Sequence, residues 1–481
     1  MKRIMCVVIS GVLFSLFAGS PAQAGEIDVL VNRLVQKGIL TPAEAQIVVD
    51  ETKLQVSKDL AQGKSLSVPE WTQRIKWGGD IRYRTQGDWG KGNRPTSAGG
   101  TPAYNSGSPT IQEQRLRNRI RGRFYMEGKV NDFTYGGVRL AGGSTGARST
   151  NDTVGGGSAT TSYFQKYPVM FDQYYMRFEA PSNIVREYGQ YFSDMKLWAG
   201  RFNIPFEYSE LVWDSDINPG GVAFQYVSPD IRTKYTPDTN IYGNFGMFWL
   251  DELGNINTDP ILFGFQVGAK TDTFGPLGTV LNISTAFYNF SNMKDKTSVG
   301  SANTNTRWWS GDGVTYNRGA YRYGYNVFDL LVNIDNTKIM DFDFPHGFYG
   351  DFIYNPEAPD GDNKGALVGA YIGKKKLKVP GDWKARAEWR YIERDSVPDF
   401  MPDSDFYGFG TQASQTAALD AGNNGIPAEG GTNGKGINMA VECQILKNTV
   451  LSLEYYWMKP IKSWDKHNPW NEFQCDVITK F

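Results

Sequence analysis

The chain has 481 residues, with 50 Lys and Arg against 51 Asp and Glu, 40% apolar and 14% aromatic residues, 54 Gly, 2 His and 3 Cys. The balanced charge removes the basic field on which nucleic-acid binding depends, so no nucleic-acid partner is expected, and the aromatic content is too high for a disordered chain. Two histidines and the lack of a Gly-rich phosphate loop leave little for zinc, triad or nucleotide chemistry, so neither catalysis nor a cofactor is expected.

Residues 1–24 read as an export signal. Lys2 and Arg3 precede an apolar stretch from Ile4 to Phe17, and Ala22-Gln23-Ala24 is a small-x-small cleavage site, with the cut expected after Ala24. No later run approaches the roughly 20 apolar residues that a spanning helix requires. The exported chain is therefore either soluble or crosses a membrane as strands.

Residues 25–70 have a helical pattern. Ile27, Leu30, Val31, Leu34 and Val35 share a face that ends at Gly38; Thr41 can cap a second helix, with Pro42 at its first position and Glu44 in its first turn. Such a pair suits a periplasmic spacer or oligomer contact, or a segment that docks peptidoglycan. Pro69 marks its end.

From Ile75 the period becomes two, clearest at the C-terminus. Ile437, Met439, Val441, Cys443 and Ile445 alternate with Asn438, Glu442 and Gln444; after a two-residue turn at Lys447 and Asn448, Leu451, Leu453, Tyr455 and Trp457 alternate with Ser452, Glu454 and Tyr456; Phe473, Cys475, Val477 and Phe481 alternate with Gln474, Asp476 and Lys480. Segments of about ten residues with this alternation are the length of tilted membrane-spanning strands. Alternation predicts strands near 75–86, 114–127, 133–141, 170–180, 194–202, 221–228, 240–250, 260–270, 279–289, 327–335, 347–354, 365–374, 382–394, 437–446, 449–460 and 472–481, which makes 16. The short sixth strand and the extended link 181–193 leave 14 or 18 open. The longest links (87–113, 142–169, 203–220, 290–326 and 395–436) are all odd-numbered, so they fall on one side of the wall. The predicted fold is an all-β antiparallel transmembrane β-barrel spanning 71–481. Aromatics toward strand ends (Trp71, Trp77, Trp198, Phe202, Trp249, Tyr288, Phe290, Trp389, Tyr391 and Tyr455 to Trp457) suit the two headgroup levels.

Three motifs bear on chemistry. The run 114–124 places Arg115, Arg117, Arg119, Arg121 and Arg123 on one strand face, with Leu116, Ile120 and Phe124 on the other. Same-face neighbours lie about 7 Å apart, inside a Debye length of about 8 Å, so their fields add. Arg82, Arg84 and Arg139 on adjoining strands widen this patch into a pore-lining basic wall that favours anions. Carboxylates such as Asp80, Glu127, Glu179, Glu388 and Glu442 could instead neutralise it into a structural ladder. The third of these long links, 203–220, carries Glu207, Glu210, Asp214 and Asp216, the composition of an acidic constriction loop that would set a transverse field against the arginines. Asp214-Ser215-Asp216-Ile217-Asn218 has the beginnings of a calcium loop, but Pro219 stands where such a loop requires Gly, so no metal is assigned. Asp399, Asp403 and Asp405 read as solvated loop acids, His346 and His467 as surface or turn residues, and Cys443 and Cys475 as lipid-facing thiols rather than a disulfide.

The early helical pair with Gly38-Ile39-Leu40-Thr41, the stretches Ala199–Phe206 and Leu211–Pro219, and Pro380-Gly381-Asp382-Trp383 resemble, in that order, the Putative porin family of Gram-negative outer membranes. That resemblance implies an outer-membrane channel for small hydrophilic or anionic solutes, surrounded by lipid, with terminal Phe481 resembling the signal read by the barrel-assembly machinery and homo-oligomers possible. Two rivals remain open. One is a structural sleeve around a redox partner; the other is an enzyme or adhesin that uses the loops 290–326 and 395–436.

Overall fold

The computed structural model describes residues 74–92, 111–143, 148–155, 166–232, 237–254, 258–296, 304–308, 320–359, 361–410, 426–428, 430–462 and 469–481, together with 31, 34–35, 37, 40–41 and 44–51. The export signal, Gly38, Pro42, Pro69, Trp71 and His467 lie outside the described residues. The chain divides after Gln73 into two units. In the first, residues 44–51 are helical. Thr41 caps them as its sequence position predicts: the Glu44 amide donates to Thr41 Oγ1 at 3.3 Å, and the Thr41 amide donates to Glu44 Oε2 at 2.8 Å.

The second unit is a closed barrel. Its strands are β1 (Ile75–Gly92), β2 (Ile111–Lys129), β3 (Thr134–Gly142), β4 (Val169–Glu179), β5 (Asp194–Arg201), β6 (Gly220–Val227), β7 (Thr239–Trp249), β8 (Ile261–Thr271), β9 (Val280–Ser291), β10 (Tyr325–Ile339), β11 (Phe342–Tyr354), β12 (Lys364–Gly373), β13 (Trp383–Ile392), β14 (Gly434–Leu446), β15 (Thr449–Pro460) and β16 (Trp470–Lys480). Each pairs antiparallel with its successor, and β16 pairs with β1, so that Asp80 faces Lys480 and the wall has no edge. The count of 16 holds, including the short sixth strand. The doubtful link 181–193 contains a short helix, Ser182–Tyr188, rather than another strand. Asp152–Thr153 adds a two-residue bridge onto β2 at Arg119 and Ile120 but lies outside the ring.

At the seam, the Gly79 and Phe481 amides each donate to the other's carbonyl at 3.0 Å. Gly79 is needed there because a Cβ would come within 2.4 Å of the Arg123 carbonyl and 2.6 Å of the Phe481 ring. On the same rim, where the Lys480 amide donates to its carbonyl at 2.9 Å, Asn448 takes φ 59° in the two-residue turn between β14 and β15, a conformation that Asn tolerates.

Alternation sorts side chains by solvent. Ile81, Tyr83, Leu116, Phe265, Val368, Met439 and Val441 are exposed on the outer face, whereas Arg82, Arg84, Gln266, Glu388, Asn438 and Gln474 are buried inside. Cys443 and Cys475 are free and follow the outward parity, with β15 between them. His346 is a strand residue, its Nδ1 2.9 Å from the Phe344 carbonyl and its Nε2 3.2 Å from Asn336 Nδ2.

The aromatic reading needs correction. Trp77, Trp249 and Trp389 are exposed outward as expected of a girdle, but Phe202, Tyr288, Phe290 and Tyr456 are buried inside the ring. They belong to an interior apolar cluster with Phe206, Leu211, Val212, Trp213, Phe248, Leu262, Met293, Tyr321 and Ile353. Strands β8 to β11 carry apolar residues at both parities because they face lipid on one side and inward-folded loops on the other.

The outward parity makes a direct prediction. Val441→Arg, near the centre of β14, should destabilise the barrel by about 2–4 kcal/mol in urea titrations in lipid vesicles, whereas Glu442→Gln on the water side should cost far less.

Candidate functional site

Register builds the basic wall. Arg82 faces Arg121, Arg84 faces Arg119, and Gln86 faces Arg117 across β1 and β2, with Asp80 opposite Arg123 and Asp88 opposite Arg115. Directly opposed like charges destabilise a strand pair unless they are compensated. Compensation arrives from several elements. Arg84 grips Asp476 of β16 with Nε at 2.8 Å and Nη2 at 2.9 Å, and its Nη1 reaches Asp405 at 2.9 Å. Arg121 meets Asp80 at 3.1 Å and Asp216 at 3.5 Å, and Arg123 meets Asp80 at 2.8 Å and Asp216 at 3.8 Å. Arg82 donates to Asn151 at 2.5 Å and lies 3.6 Å from Asp476. Arg117 lies 3.7 Å from Asp88, Arg119 donates to Gln86 and Ser149 at 3.2 Å, and Arg139 donates to Asp172 at 2.6 Å and Asn218 at 3.1 Å. Arg115 is exposed farther along the strand.

The neutralising partners differ from those the sequence suggests. Of Asp80, Glu127, Glu179, Glu388 and Glu442, only Asp80 touches the stripe; Glu127 and Glu179 hold Arg177, Glu388 holds Arg386 and Arg390, and Glu442 holds Lys384 at 3.0 Å. Asp476 and Asp405 were not legible as partners, since one comes from the last strand and the other from a loop remote in sequence.

The third loop, 202–219, folds into the barrel. Phe206, Leu211, Val212 and Trp213 pack on Phe248, Leu262, Tyr288 and Ile353, each burial contributing roughly 1.5–3 kcal/mol for a large side chain. Gln266 of β8 pins the loop backbone, accepting from the Glu207 amide at 2.9 Å and donating to the Glu207 carbonyl at 2.6 Å. The Glu207 side chain itself is exposed. Asp216 reaches back to the arginine wall, whereas Asp214 accepts from the amides of Asp216 and Ser404, both at 2.8 Å. With Asn218 bonded to Arg139 and Asp172, the segment from Asp214 to Asn218 is occupied in loop packing.

In the seventh loop, the described stretches 393–410 and 430–433 also turn inward, which the sequence did not disclose. Asp399 and Asp403 are buried, not solvated. Asp399 accepts from the Thr304 amide at 2.9 Å and the Tyr321 hydroxyl at 2.9 Å, tying this loop to the fifth, 292–324. The Asp214 amide donates to the Met401 carbonyl at 2.7 Å, and the Asp403 amide donates to the Glu210 carbonyl at 3.2 Å, so the third and seventh loops are zipped together.

Arg390 locks this assembly. Its side chain has no solvent exposure, and its Nε bonds Glu388 at 2.5 Å, Nη1 bonds Asp403 at 2.6 Å, and Nη2 bonds Glu210 at 2.7 Å. One guanidinium thus joins the wall, the third loop and the seventh loop. The sequence signal for it was only its inward parity on a predicted strand.

Space remains beside these loops. A chamber of about 660 Å³ is lined by Arg82, Arg84 and Arg121 on one side, Glu210, Asp214 and Asp216 with Asp403 to Asp405 on another, and the turn Lys375 to Lys378. A second chamber of about 420 Å³ shares Glu210, Ser215, Arg386 and Glu442 with it.

A family described as Putative porin matches residues 56–350 and 323–417. The chain belongs to that family. As a porin it sits in an outer membrane, in contact with lipid and small solutes, and its fold is that of a channel. It is similar to solved structures at low identity: OprB of Pseudomonas putida (8% identity, TM-score 0.48, covering 88% of this chain and 97% of that one), the outer membrane channel DcaP of Acinetobacter baumannii (12%, 0.39, 85% and 97%), and an anion-selective porin from Comamonas acidovorans (10%, 0.42, 85% and 99%). No curated protein matches the porin's sequence.

Two outcomes test the site. Arg390→Met should cost about 3–5 kcal/mol by leaving three carboxylates around an apolar side chain, and should raise single-channel conductance as the loops part. Burial, with Asp403 nearby, pushes the Asp214 carboxyl up to about 7 from its ordinary 3.8. A folded loop that holds this proton more tightly than an unfolded aspartate is most stable at low pH and loses that stability as pH rises through about 7. Current noise in planar bilayers should therefore grow from pH 5 to pH 8, and Asp214→Asn should flatten the trend.

Proposed function

We propose that this porin is a narrow, passive diffusion channel for small hydrophilic solutes, with a modest preference for anions set at the constriction. The observation that carries the reading is the chamber bounded by Arg82, Arg84 and Arg121 and faced by the acids of the third and seventh loops. A solute crossing it meets a transverse field, and anionic groups are drawn to the guanidinium side. The preference is modest because most of these guanidinium groups already share a carboxylate. Fixed dipoles of this kind steer and orient a passing solute, but they bind it weakly enough to release it. The chemistry is transport, not catalysis.

Export with cleavage after Ala24, insertion by the barrel-assembly machinery through terminal Phe481, and association with further copies belong to the same reading. Phe481 supports it by lying at the seam with an exposed ring. The sleeve reading is less well supported, because the third, fifth and seventh loops occupy the space a redox partner would need.

Liposome swelling and reversal potentials test this together. Sugars and small organic anions should enter vesicles at rates that fall steeply with size, and a potassium chloride gradient should give a reversal potential of the anion-selective sign that shrinks in the Arg119→Ala, Arg121→Ala double variant. Cation preference, or a potential indifferent to those substitutions, would remove the arginine wall from the account of selectivity.

A further inference from the structure

Among the described residues, the buried acids Asp88, Asp172, Glu388, Asp403 and Asp476 each pair with a guanidinium, whereas Asp329 and Asp351, side by side under the third loop, do not. Strands β9, β10 and β11 turn Tyr288, Asp329 and Asp351 inward side by side. Asp329 faces Ala286 on one neighbour and Ile353 on the other, Asp351 faces Leu331, and Tyr288 faces Val327, so the three are successive diagonal neighbours. The two carboxyl groups lie within hydrogen-bonding reach of each other. The third loop covers them with Ser209, whose hydroxyl donates to Asp351 Oδ2, and with Trp213, whose ring stands 5.9 Å from that of Tyr288.

The setting is dry. Asp329 and Asp351 are 3% and 4% exposed, Tyr288 is 0% and Trp213 is 1%. Of the four carboxylate oxygens, Asp329 Oδ1, Asp329 Oδ2 and Asp351 Oδ1 receive no hydrogen bond, and the fully buried Tyr288 hydroxyl, beside the Trp213 indole, lies in the field of both carboxylates. Among the described residues no Lys or Arg forms an ion pair with either acid. Two like charges in contact and out of water are unfavourable by several kcal/mol unless a countercharge is present. The donors here are oxygen only, the set that hard cations prefer and soft metals do not.

We propose that Asp329, Asp351, the Ser209 hydroxyl and the Tyr288 hydroxyl form a site for a hard divalent cation, calcium, that pins the third loop to the β9–β11 wall. The two strand carboxylates supply the charge, and the loop hydroxyl makes binding depend on the loop's inward position. Calcium then holds the constriction in place at Ser209, next to Glu210, which the Arg390 lock grips. With two carboxylates the affinity belongs to the weak extracellular class, a dissociation constant on the order of 0.1–1 mM. The site is independent of the channel's ion preference.

Terbium luminescence on the purified full-length protein in detergent is the test, because the rings of Trp213 and Tyr288 adjoin the site and can sensitise a bound lanthanide. The expected result is a single saturable emission component that calcium displaces, is lost in Asp329→Asn and is weakened in Ser209→Ala, with a melting temperature that falls when calcium is chelated. Ser209 lies in a loop, so its variant reports even where Asp329→Asn fails to assemble, and heat-modifiable gel mobility shows which barrels are formed. Emission unchanged in both folded variants, or a melting temperature and emission indifferent to calcium, would overturn the proposal and leave a proton shared between the two carboxyl groups.

Discussion

A backbone amide inside hydrocarbon has no water to bond, and each one left unpaired costs several kcal/mol. Everything else in this protein follows from meeting that demand with strands. A sheet satisfies its own amides except at its edges, so the last strand must return to the first; the Gly79–Phe481 exchange and the β1–β16 ladder are where this happens. Closure then fixes two solvents for one chain. Side chains of one parity meet lipid and those of the other meet the lumen, which is why a strand can carry five arginines beside Leu116 and Phe124 without conflict.

Placing arginines inside does not leave them in free water. The loops that fold into the lumen exclude much of it, and the electrostatics change character accordingly. An ion pair in a dry place gains more from its partner and loses more from desolvation, so isolated members are costly while well-partnered groups persist. Arg390 is the well-partnered case, with three carboxylates around one buried guanidinium. Asp329 and Asp351 are the isolated case, as carboxylates without a cationic side chain among the described residues. The third loop is held on one side at Ser209 and Glu210, which bond Asp351 and Arg390, and on the other at Asp216 beside Arg121 and Arg123, with Phe206, Leu211, Val212 and Trp213 packed between. The constriction is thus an apolar plug with charged rims.

Coupling among the loops makes the constriction one connected unit rather than a wall with appendages. The third loop contacts the seventh through Asp214 and Asp403, and the seventh contacts the fifth through Asp399 and Thr304. Each contact involves backbone amides as well as side chains. Moving one loop therefore breaks hydrogen bonds in the next.

The order and approximate bounds of all sixteen strands, the outward parity of Cys443 and Cys475, the Thr41 cap and the side on which long links lie were legible in the sequence. All depend on local period, local turn chemistry or link length, which a single chain displays directly. That Arg82, Arg84 and Arg115 to Arg123 share the inner face was legible for the same reason. Their partners were not: Asp476 lies at the far end of the chain and Asp405 in a loop with no period at all. Nor did composition distinguish aromatics destined for the headgroups from those, such as Tyr288 and Phe202, that line an interior core, although apolar residues at both parities of β8 to β11 were the available clue. The sequence by itself determined the wall, because a strand's two faces alternate at every residue. Only the tertiary structure decided what fills the lumen, because the loops choose their positions by pairing charge and burying surface against strands that are distant along the chain.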